Sequence, residues 1–291
     1  MRAERITDSV TYHGEGPVWW EATRELRFVD MLHGAVVALA ESGATHRLPV
    51  GSPVAAVIRP RTGGGAIVAR ERDIALARSE DLSDLAPVTP DFVPKGQRLN
   101  EGGCDPLGRF LVGGMAYDRT PGASNVWRLD GDAAGSGVVT PAVVVPGVTI
   151  SNGLGWSPDG TRTYYIDTPT RTISLFDVTP TGELADRRPW VVLPEEAGHP
   201  DGLTVDAEGG VWVALNGGAA VRRYDDAGAL SAVVEVGPQK VTACAFGGPG
   251  LGMLFITTSR EDLEPDEEPA AGSLYMVEPG VRGLPPLPFA G

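Results

Sequence analysis

Several features that mark common protein classes are scarce in this chain of 291 residues. Only 24 lysines and arginines stand against 38 aspartates and glutamates, which gives a formal net charge of −14. No cationic run occurs, and clustered cations are what nucleic acids and anionic membrane surfaces require. No segment approaches the roughly 18 consecutive apolar residues that span a bilayer, and the first residues lack the apolar centre of a signal peptide. We therefore expect a soluble, cytoplasmic protein with no nucleic-acid or membrane partner.

Zinc-type ligands and common catalytic motifs are also few. The two cysteines, Cys104 and Cys244, have no Cys-x-x-Cys spacing. Because a lone disulfide would be unusual in the cytosol, we expect free, mostly buried thiols. The four histidines are too scattered to specify a zinc site. The chain also contains no His-Glu-x-x-His motif, no Gly-x-Ser-x-Gly elbow and no Walker loop, so these well-marked types of site have no support.

What the chain does contain is a repeated strand-and-turn unit, with helical periodicity almost absent. Short runs rich in Val, Ile, Phe, Tyr and Trp recur between turn residues, and the 39 glycines and 25 prolines are spread along the chain. Residues 153–167 read as a β-hairpin with a Ser-Pro-Asp-Gly turn. The segment 16–30 matches this hairpin 137 residues earlier and aligns Asp30 with Asp167. The hairpin is therefore a repeating unit.

Further copies of the hairpin predict the fold. They lie at 202–214 and, less clearly, at 54–69, 101–112 and 243–257. A further apolar strand pair follows several of them, and repeats of about 40 to 50 residues with four short strands are typical of a β-propeller. We predict an all-β, six-bladed β-propeller with four antiparallel strands per blade, in a single domain over residues 1–291. A large β-sandwich would not explain hairpins with matching residues. We expect a strand near Arg5 to close the first blade.

The overlay of the six hairpins also brings polar residues into equivalent places. The position before the first strand of each hairpin is occupied by Glu15, approximately Pro53, Asn100, Asn152, Asp201 and Thr242. In a propeller the innermost strands line the central channel, so residues at their mouths point toward one axis. Two carboxylates and two amide carbonyls are the oxygen donors that a hard divalent cation requires. Asn and Asp are also common turn residues, but their coincidence in four equivalent positions favours a metal site.

Two more residues are candidates near this axis. Arg98 precedes Asn100 by two residues, so both point to the same face of an extended strand. Since a guanidinium repels a metal ion, we expect Arg98 to bind a substrate oxygen, with a surface arginine as the alternative. Asp118 follows the strand that ends near Met115 and could reach the channel mouth.

Four ordered motifs carry a resemblance to a known family. They are Gly-Glu-Gly-Pro-Val-Trp around Glu15, Arg-Leu-Asn-Glu-Gly-Gly-Cys-Asp from Arg98, Ser-Asn-Gly-Leu-Gly-Trp-Ser-Pro-Asp-Gly around Asn152, and Pro-Asp-Gly-Leu around Asp201. Together they resemble the SMP-30, regucalcin and gluconolactonase family over about Glu15 to Pro285. The resemblance implies a six-bladed propeller with one catalytic divalent cation on its axis, bound by Glu15, Asn152 and Asp201. Calcium, zinc, magnesium and manganese all remain possible.

The resemblance further implies roles in substrate binding and catalysis. Arg98 and Asn100 would contact the substrate, and Asp201 would also act as the acid/base. Asp118 stands where several sugar lactonases have a substrate-binding glutamate, and Glu101 replaces the aspartate of the usual Asn-Asp-Gly. The implied reaction is the opening of a small-molecule sugar (aldono-) lactone. Hydrolysis of organophosphates on the same scaffold and a non-catalytic calcium-binding propeller are the alternatives, and the oligomeric state and the particular lactone remain open.

Overall fold

The structure, a computed structural model, describes residues 1–131, 139–264 and 266–291. In this part of the chain 24 strands, β1 to β24, form six four-stranded antiparallel sheets. The first strand, β1, is Glu4–Arg5. The first blade contains β2 to β5, which are Gly14–Trp20, Glu25–Asp30, Ala35–Ala40 and Thr45–Pro49. The second contains β6 to β9, which are Ala55–Pro60, Ala66–Arg70, Ile74–Ala77 and Ala86–Pro87.

The remaining blades follow in chain order. The third contains β10 to β13, which are Gln97–Cys104, Phe110–Ala116, Ser124–Leu129 and Ala142–Val148. The fourth contains β14 to β17, which are Ser151–Trp156, Arg162–Asp167, Thr172–Val178 and Leu184–Val192. The fifth contains β18 to β21, which are His199–Val205, Val211–Asn216, Ala220–Tyr224 and Leu230–Glu235. The sixth contains β22 to β24, which are Val241–Gly247, Met253–Thr258 and Tyr275–Val277, together with β1.

These sheets confirm the predicted six-bladed propeller with four antiparallel strands per blade. The first strands of the six blades, β2, β6, β10, β14, β18 and β22, contact one another in a closed ring. They therefore line the axis, and they are almost wholly buried, whereas the outer strands are largely exposed. The described helices are 3₁₀ turns of three residues at Met31–His33, Thr168–Thr170, Glu195–Ala197 and Pro249–Leu251. None of these helices is long and apolar enough to cross a membrane.

The expectation for the N-terminal strand was wrong in one respect. It pairs with the last strand of the sixth blade, Glu4 with Met276 and Arg5 with Tyr275, and not with the first blade. The physical reason is that β2 to β5 already supply four strands, whereas the sixth blade has only three from its own segment. The two ends of the ring are thereby joined within one sheet.

The core lies between the blades. One buried cluster contains Tyr164 of the fourth blade and Val213 of the fifth, and another contains Phe28 of the first and Phe255 of the sixth. Because each blade covers the apolar face of the next, no blade buries its own faces alone. The predicted free, buried thiols are confirmed at both cysteines.

The 137-residue repeat has a structural counterpart at the ends of β3 and β15. Asp30 and Asp167 are both buried there, and each carboxylate accepts two backbone N–H groups just before the innermost strand of its blade. The donors are Tyr12 and His13 for Asp30, at 2.9 and 3.1 Å, and Thr149 and Ile150 for Asp167, at 3.1 and 2.9 Å. In both blades a 3₁₀ turn follows the aspartate, so the residue after it is directed to the channel mouth.

Candidate active site

A β-bulge in each innermost strand positions the candidate residues. The pairing between the first and second strands shifts at the same place in every blade, between Glu15 and Val18, Ala55 and Val57, Leu99 and Gly102, Ser151 and Leu154, Pro200 and Leu203, and Val241 and Ala243. A bulge breaks the strict alternation of side chains and re-aims them. Asn100, Asn152 and Asp201 lie within these shifts, whereas Glu15 still pairs with Val29 and directly precedes its shift. All four lie near the same end of the channel.

Two positions of the overlay, in the second and sixth blades, have no carboxylate or amide side chain. In the second blade the pairing places Ala56, and not Pro53, at the bulge, because that strand begins only at Ala55. Thr242 occupies the bulge of the sixth blade, where its hydroxyl donates to the carbonyl of Gly14 at 2.5 Å and joins the sixth blade to the first. Neither residue adds a carboxylate or an amide oxygen to the site.

Glycines after the site residues let the innermost strands approach closely. A Cβ atom on Gly153 would lie 2.9 Å from the carbonyl oxygen of Asp201, and one on Gly202 would lie 2.5 Å from the Cβ of Ala243. Such distances exclude any side chain at either position without a backbone shift. The Asn-Gly and Asp-Gly pairs of the motifs thus have a packing reason, since neighbouring strands must be this close for their side chains to meet.

Three buried carboxylates near this end of the channel, Glu15, Glu101 and Asp201, act on one another electrostatically. Among the described residues no three His, Cys, Asp or Glu side chains are grouped closely enough to hold a metal ion by themselves. Burial, followed by the charges of Asp201 and Glu101, raises the pKa of Glu15 well above its ordinary value. Burial and the charge of Asp201 raise the pKa of Glu101 to about 8, and burial is the main reason that the pKa of Asp201 rises to about 7. The three groups therefore repel one another unless protons or a cation offset their charge.

The two asparagines form a hydrogen-bonded pair beside these carboxylates. Asn100 Nδ2 donates to Asn152 Oδ1 at 2.9 Å and to the carbonyl of Ser151 at 2.8 Å. On its other side Asn152 Nδ2 donates to Thr168 Oγ1 at 2.7 Å, while the Thr168 hydroxyl donates to the carbonyl of Pro200 at 2.8 Å. Because that hydroxyl already donates, it can only accept from Asn152. The amide of Asn152 is thereby fixed with Oδ1 turned away from Thr168 and toward Asn100.

Arg98 is buried, which excludes the alternative of a surface arginine. Its Nη1 donates to Asn100 Oδ1 at 2.5 Å and to the carbonyl of Leu99 at 3.0 Å, and it lies 3.1 Å from Met31 Sδ. Burial lowers its pKa, although Glu261, Glu15 and Asp201 act in the opposite sense. Arg98 and Asn100 thus share one face, as the two-residue spacing predicted.

Asp118 lies further out than the other predicted residues. It is exposed in the turn after β11, and its Oδ1 accepts the backbone N–H of Thr120 at 3.0 Å. That hydrogen bond lowers its pKa. The preceding residue, Tyr117, donates its hydroxyl to Glu71 of the second blade at 2.6 Å and acts electrostatically on Arg98. The substrate-binding role of Asp118 stays a prediction.

The donor set fits a hard divalent cation. Glu15 accepts one hydrogen bond, from the N–H of Gly16 at 3.0 Å, and the buried Oε2 of Glu101 has no partner among the described residues. Asp201 Oδ2 accepts from Asn216 Nδ2 at 3.1 Å, and no described residue donates to its Oδ1. Buried carboxylate oxygens with unused lone pairs, next to an oriented amide oxygen, are the ligands that calcium and magnesium prefer. The role of Glu15, Asn152 and Asp201 as metal ligands stays a prediction.

The sequence argument assigned no role in the site to three of its residues. Glu101 follows Asn100 directly, so simple alternation places it on the opposite face, and only the bulge turns it into the channel. Met31 and Thr168 contact Arg98 and Asn152 from the 3₁₀ turns. The sequence did contain a signal for Met31 and Thr168, because they are 137 residues apart and each follows one of the matched aspartates.

The hydrogen bond from Asn152 to Thr168 leads to a first testable prediction. Thr168→Val removes the acceptor that orients the amide while it keeps the volume of the side chain. We expect metal affinity to fall about 10- to 100-fold, as for other groups that orient a ligand. Calorimetric titration with Ca²⁺ measures it. Thr170→Val, in the same 3₁₀ turn but exposed, is the matched control, and equal affinities for both variants would contradict the role of Thr168.

Fold and site together define a class of protein: six-bladed propellers whose innermost strands present buried carboxylate and amide oxygens at one end of the axis. Comparison of the sequence with known families is more specific. The chain belongs to the SMP-30/gluconolactonase/LRE-like family, whose sequence model matches residues 13–260.

Individual relatives cover nearly the whole chain. Regucalcin of Sus scrofa is 33% identical over 303 residues, which cover 100% of this chain and 99% of the relative. A solved luciferin-regenerating enzyme is 27% identical, covers 99% of both chains and superposes with a TM-score of 0.89. The calcium-binding regucalcin of Agrobacterium tumefaciens has a TM-score of 0.90 over 99% of this chain and 97% of its own. Its identity of 24% supports the fold alone.

Proposed function

We propose that this protein is a metal-dependent hydrolase that opens a sugar (aldono-) lactone. The observation that carries the proposal is the set of buried carboxylates, Glu15, Glu101 and Asp201, which lies within electrostatic range of a buried arginine and near an oriented pair of amides. A site that only tied blades together would need no buried guanidinium next to its ligands. Lactonase activity also agrees with the family, which is named in part for gluconolactonase.

Glu15, Asn152 and Asp201 are the residues that would hold the cation. A bound divalent ion at this place supplies Lewis-acid polarisation of a carbonyl oxygen and stabilises negative charge that develops on it. The protein contributes the fixed orientation of the donors: the bulges aim them, and Thr168 and Asn216 hold Asn152 and Asp201 in place.

Asp201 is the proposed acid/base. Its Oδ2 is held by Asn216, while Oδ1 is left to accept a proton from the attacking water and to return it to the ring oxygen that leaves. Burial raises its pKa to about 7 in the metal-free protein, and a bound cation would lower it, so that Asp201 would be an ionised carboxylate able to accept a proton near neutral pH. Oδ2, which keeps a lone pair beside its hydrogen bond to Asn216, would bind the cation, and Oδ1 would take the proton.

The substrate contacts are assigned to Arg98, Asn100 and Asp118. The guanidinium of Arg98 can donate to carbonyl or hydroxyl oxygens of a sugar ring without adding negative charge to an acidic site. Asn100 lies within hydrogen-bond distance of Arg98 and of Asn152, so it connects the substrate side of the site to the cation side. Asp118, at the exposed rim, would bind an outer hydroxyl.

Removal of the metal tests the proposal directly. Dialysis against a chelator should reduce the opening of five- and six-carbon aldonolactones to background, and re-addition of Ca²⁺, Mg²⁺, Mn²⁺ or Zn²⁺ one at a time should restore it with one ion preferred. A pH-indicator assay records the acid released. Phosphotriesters are assayed in the same series, since faster phosphotriester cleavage would favour the organophosphate hydrolase. Metal binding without turnover of any substrate would favour the non-catalytic calcium-binding propeller.

A further inference from the structure

A cavity lies within the channel, beyond Glu15 along the innermost strands. Its volume is about 510 Å³, and it is lined by residues from the innermost strands of all six blades and from turns such as Ser157–Gly160. Because these turns follow the C-terminal ends of the innermost strands, the cavity opens on the opposite face of the propeller. Glu101 lines its inner end, whereas Glu15 and Asp201 do not take part in its lining. The cavity thus adjoins the site proposed for lactone hydrolysis at Glu101 but does not include Glu15 or Asp201.

The segment Leu284–Pro288 crosses the outer end of this cavity. On one side Gly283 is bridged to Asp206 of the fifth blade, and on the other the N–H of Phe289 donates to the carbonyl of Pro60 in the second blade at 2.8 Å. The second and fifth blades lie on opposite sides of the ring, so the segment spans the opening and contributes to the lining. The segment therefore partly covers the cavity, which has room for a small ligand.

The walls of the cavity are mainly apolar and aromatic. They include Trp19, Trp156, Leu203, Val205 and Phe246. Three of the five residues of the crossing segment are prolines, which have no N–H to offer a ligand. The body of any occupant must accordingly be apolar, because a polar body would lose hydrogen bonds to water without replacement.

One cation, Arg59, and two carboxylates, Glu101 and Asp159, interrupt these apolar walls. Arg59 of β6 lines the cavity and is partly exposed in it. Its Nη1 donates to the carbonyl of Ile58 at 2.7 Å and its Nη2 donates to that of Gly102 at 2.7 Å. These carbonyls hold the guanidinium in place, but its Nε–H has no acceptor among the described residues. Glu101 and Glu15 act on Arg59 electrostatically without forming an ion pair with it in the described part of the chain.

We propose that this cavity binds a small organic anion with an apolar body and one carboxylate, the carboxylate on Arg59 and the body against the tryptophan walls. A guanidinium in an apolar enclosure gains most from a planar anion that matches its donors. A neutral apolar molecule would fill the cavity but leave the free N–H unused. The proposal is independent of lactone hydrolysis.

Octanoate is a suitable probe, and octan-1-ol is its neutral counterpart of equal chain length. We expect calorimetric titration to show one octanoate per chain and weaker binding of octanol. Arg59→Met should weaken octanoate binding about tenfold or more, as for the loss of a charged hydrogen bond, and should leave octanol almost unchanged. Arg188→Met, which removes a guanidinium from the exposed strand β17, is the matched control and should bind octanoate as the wild type does.

A second variant keeps the test decisive if Arg59→Met does not fold. Ala245 lines the cavity from the sixth blade, so Ala245→Trp should fill it and abolish the binding of both probes. Asp201→Asn should bind octanoate normally, which separates this cavity from the site proposed for hydrolysis. The proposal is overturned if wild-type protein binds no octanoate, if Arg59→Met weakens the two probes equally, if Ala245→Trp binds normally, or if Asp201→Asn abolishes binding.

Discussion

Asp201→Asn is expected to reduce lactone opening by about 10²- to 10⁴-fold, the range in which a positioned general base contributes. The substitution keeps the size of the side chain and one oxygen. It removes the negative charge that lets Asp201 accept a proton at Oδ1, the oxygen that Asn216 does not hold. Steady-state rates with the preferred metal in excess, and metal content of the same samples, give the measurement.

The controls for Asp201→Asn separate loss of the base from loss of the fold. Asp226→Asn alters an exposed carboxylate in the same blade, one that pairs with Arg162 at 2.8 Å, and should retain the wild-type rate. The ascending limb of the pH–rate profile should disappear with Asp201 and persist in the control. A metal-loaded Asp201→Asn protein with more than a tenth of the wild-type rate would remove Asp201 from the acid/base role.

Glu15→Gln is expected to weaken metal binding and to stabilise the metal-free protein. Because a ligand charge is lost, metal affinity should fall by about a hundredfold or more, and activity at limiting metal should fall with it. Because one of three repelling carboxylates is removed, the metal-free protein should unfold a few degrees higher than the metal-free wild type at pH 8. Calcium titration and thermal unfolding in chelator measure the two effects.

The pH dependence of stability explains why the metal-free Glu15→Gln protein should unfold at a higher temperature. In the metal-free protein the pKa of Glu101 is about 8 and that of Asp201 about 7, against ordinary values of 4.5 and 3.8. Between about pH 4 and pH 8 the folded chain therefore holds protons that the unfolded chain has released. Stability of the metal-free protein should fall as pH rises through that window. The decline should be shallower in Glu15→Gln, which has one carboxylate fewer to protonate.

Glu41→Gln is the matched control for Glu15→Gln. Glu41 lies in the same blade but is exposed, where it pairs with Arg24. Its replacement should change neither metal affinity nor the pH dependence of unfolding, because solvent screens an exposed pair. A Glu15→Gln protein that binds metal as tightly as the Glu41→Gln control would exclude Glu15 as a ligand.

The number of blades and the strand content could be predicted because they depend on local patterns. Turn residues and β-branched or aromatic runs recur at near-constant spacing, and each hairpin folds according to its own turn chemistry. The equivalence of Asp30 and Asp167 was readable for the same reason, and both carboxylates do make the same backbone contacts. The prediction for the second blade was less accurate. Ala56 and not Pro53 occupies the bulge there, and the hairpin copy in this blade is one of the less clear ones.

The candidate site was predicted only in part. Glu15, Asn100, Asn152 and Asp201 could be placed at one end of the channel from the repeat alone, and the two-residue spacing correctly put Arg98 on the face of Asn100. The position of Glu101 could not, because a β-bulge overrides the alternation on which such an argument depends. Whether a strand bulges is decided by its pairing with the next strand.

The sequence by itself determined the repeating hairpin, the blade count and the four motif positions that carry oxygen donors, because these follow from local propensity and a regular period. Only the tertiary structure decided which side chains meet near the axis, which blade receives the N-terminal strand, and that Arg59 lines a cavity in the channel. Those features depend on ring closure, which brings together residues such as Gly283 and Asp206 that are far apart in the chain. A local sequence pattern does not show which distant residues come into contact, so these features depend on how the whole ring packs.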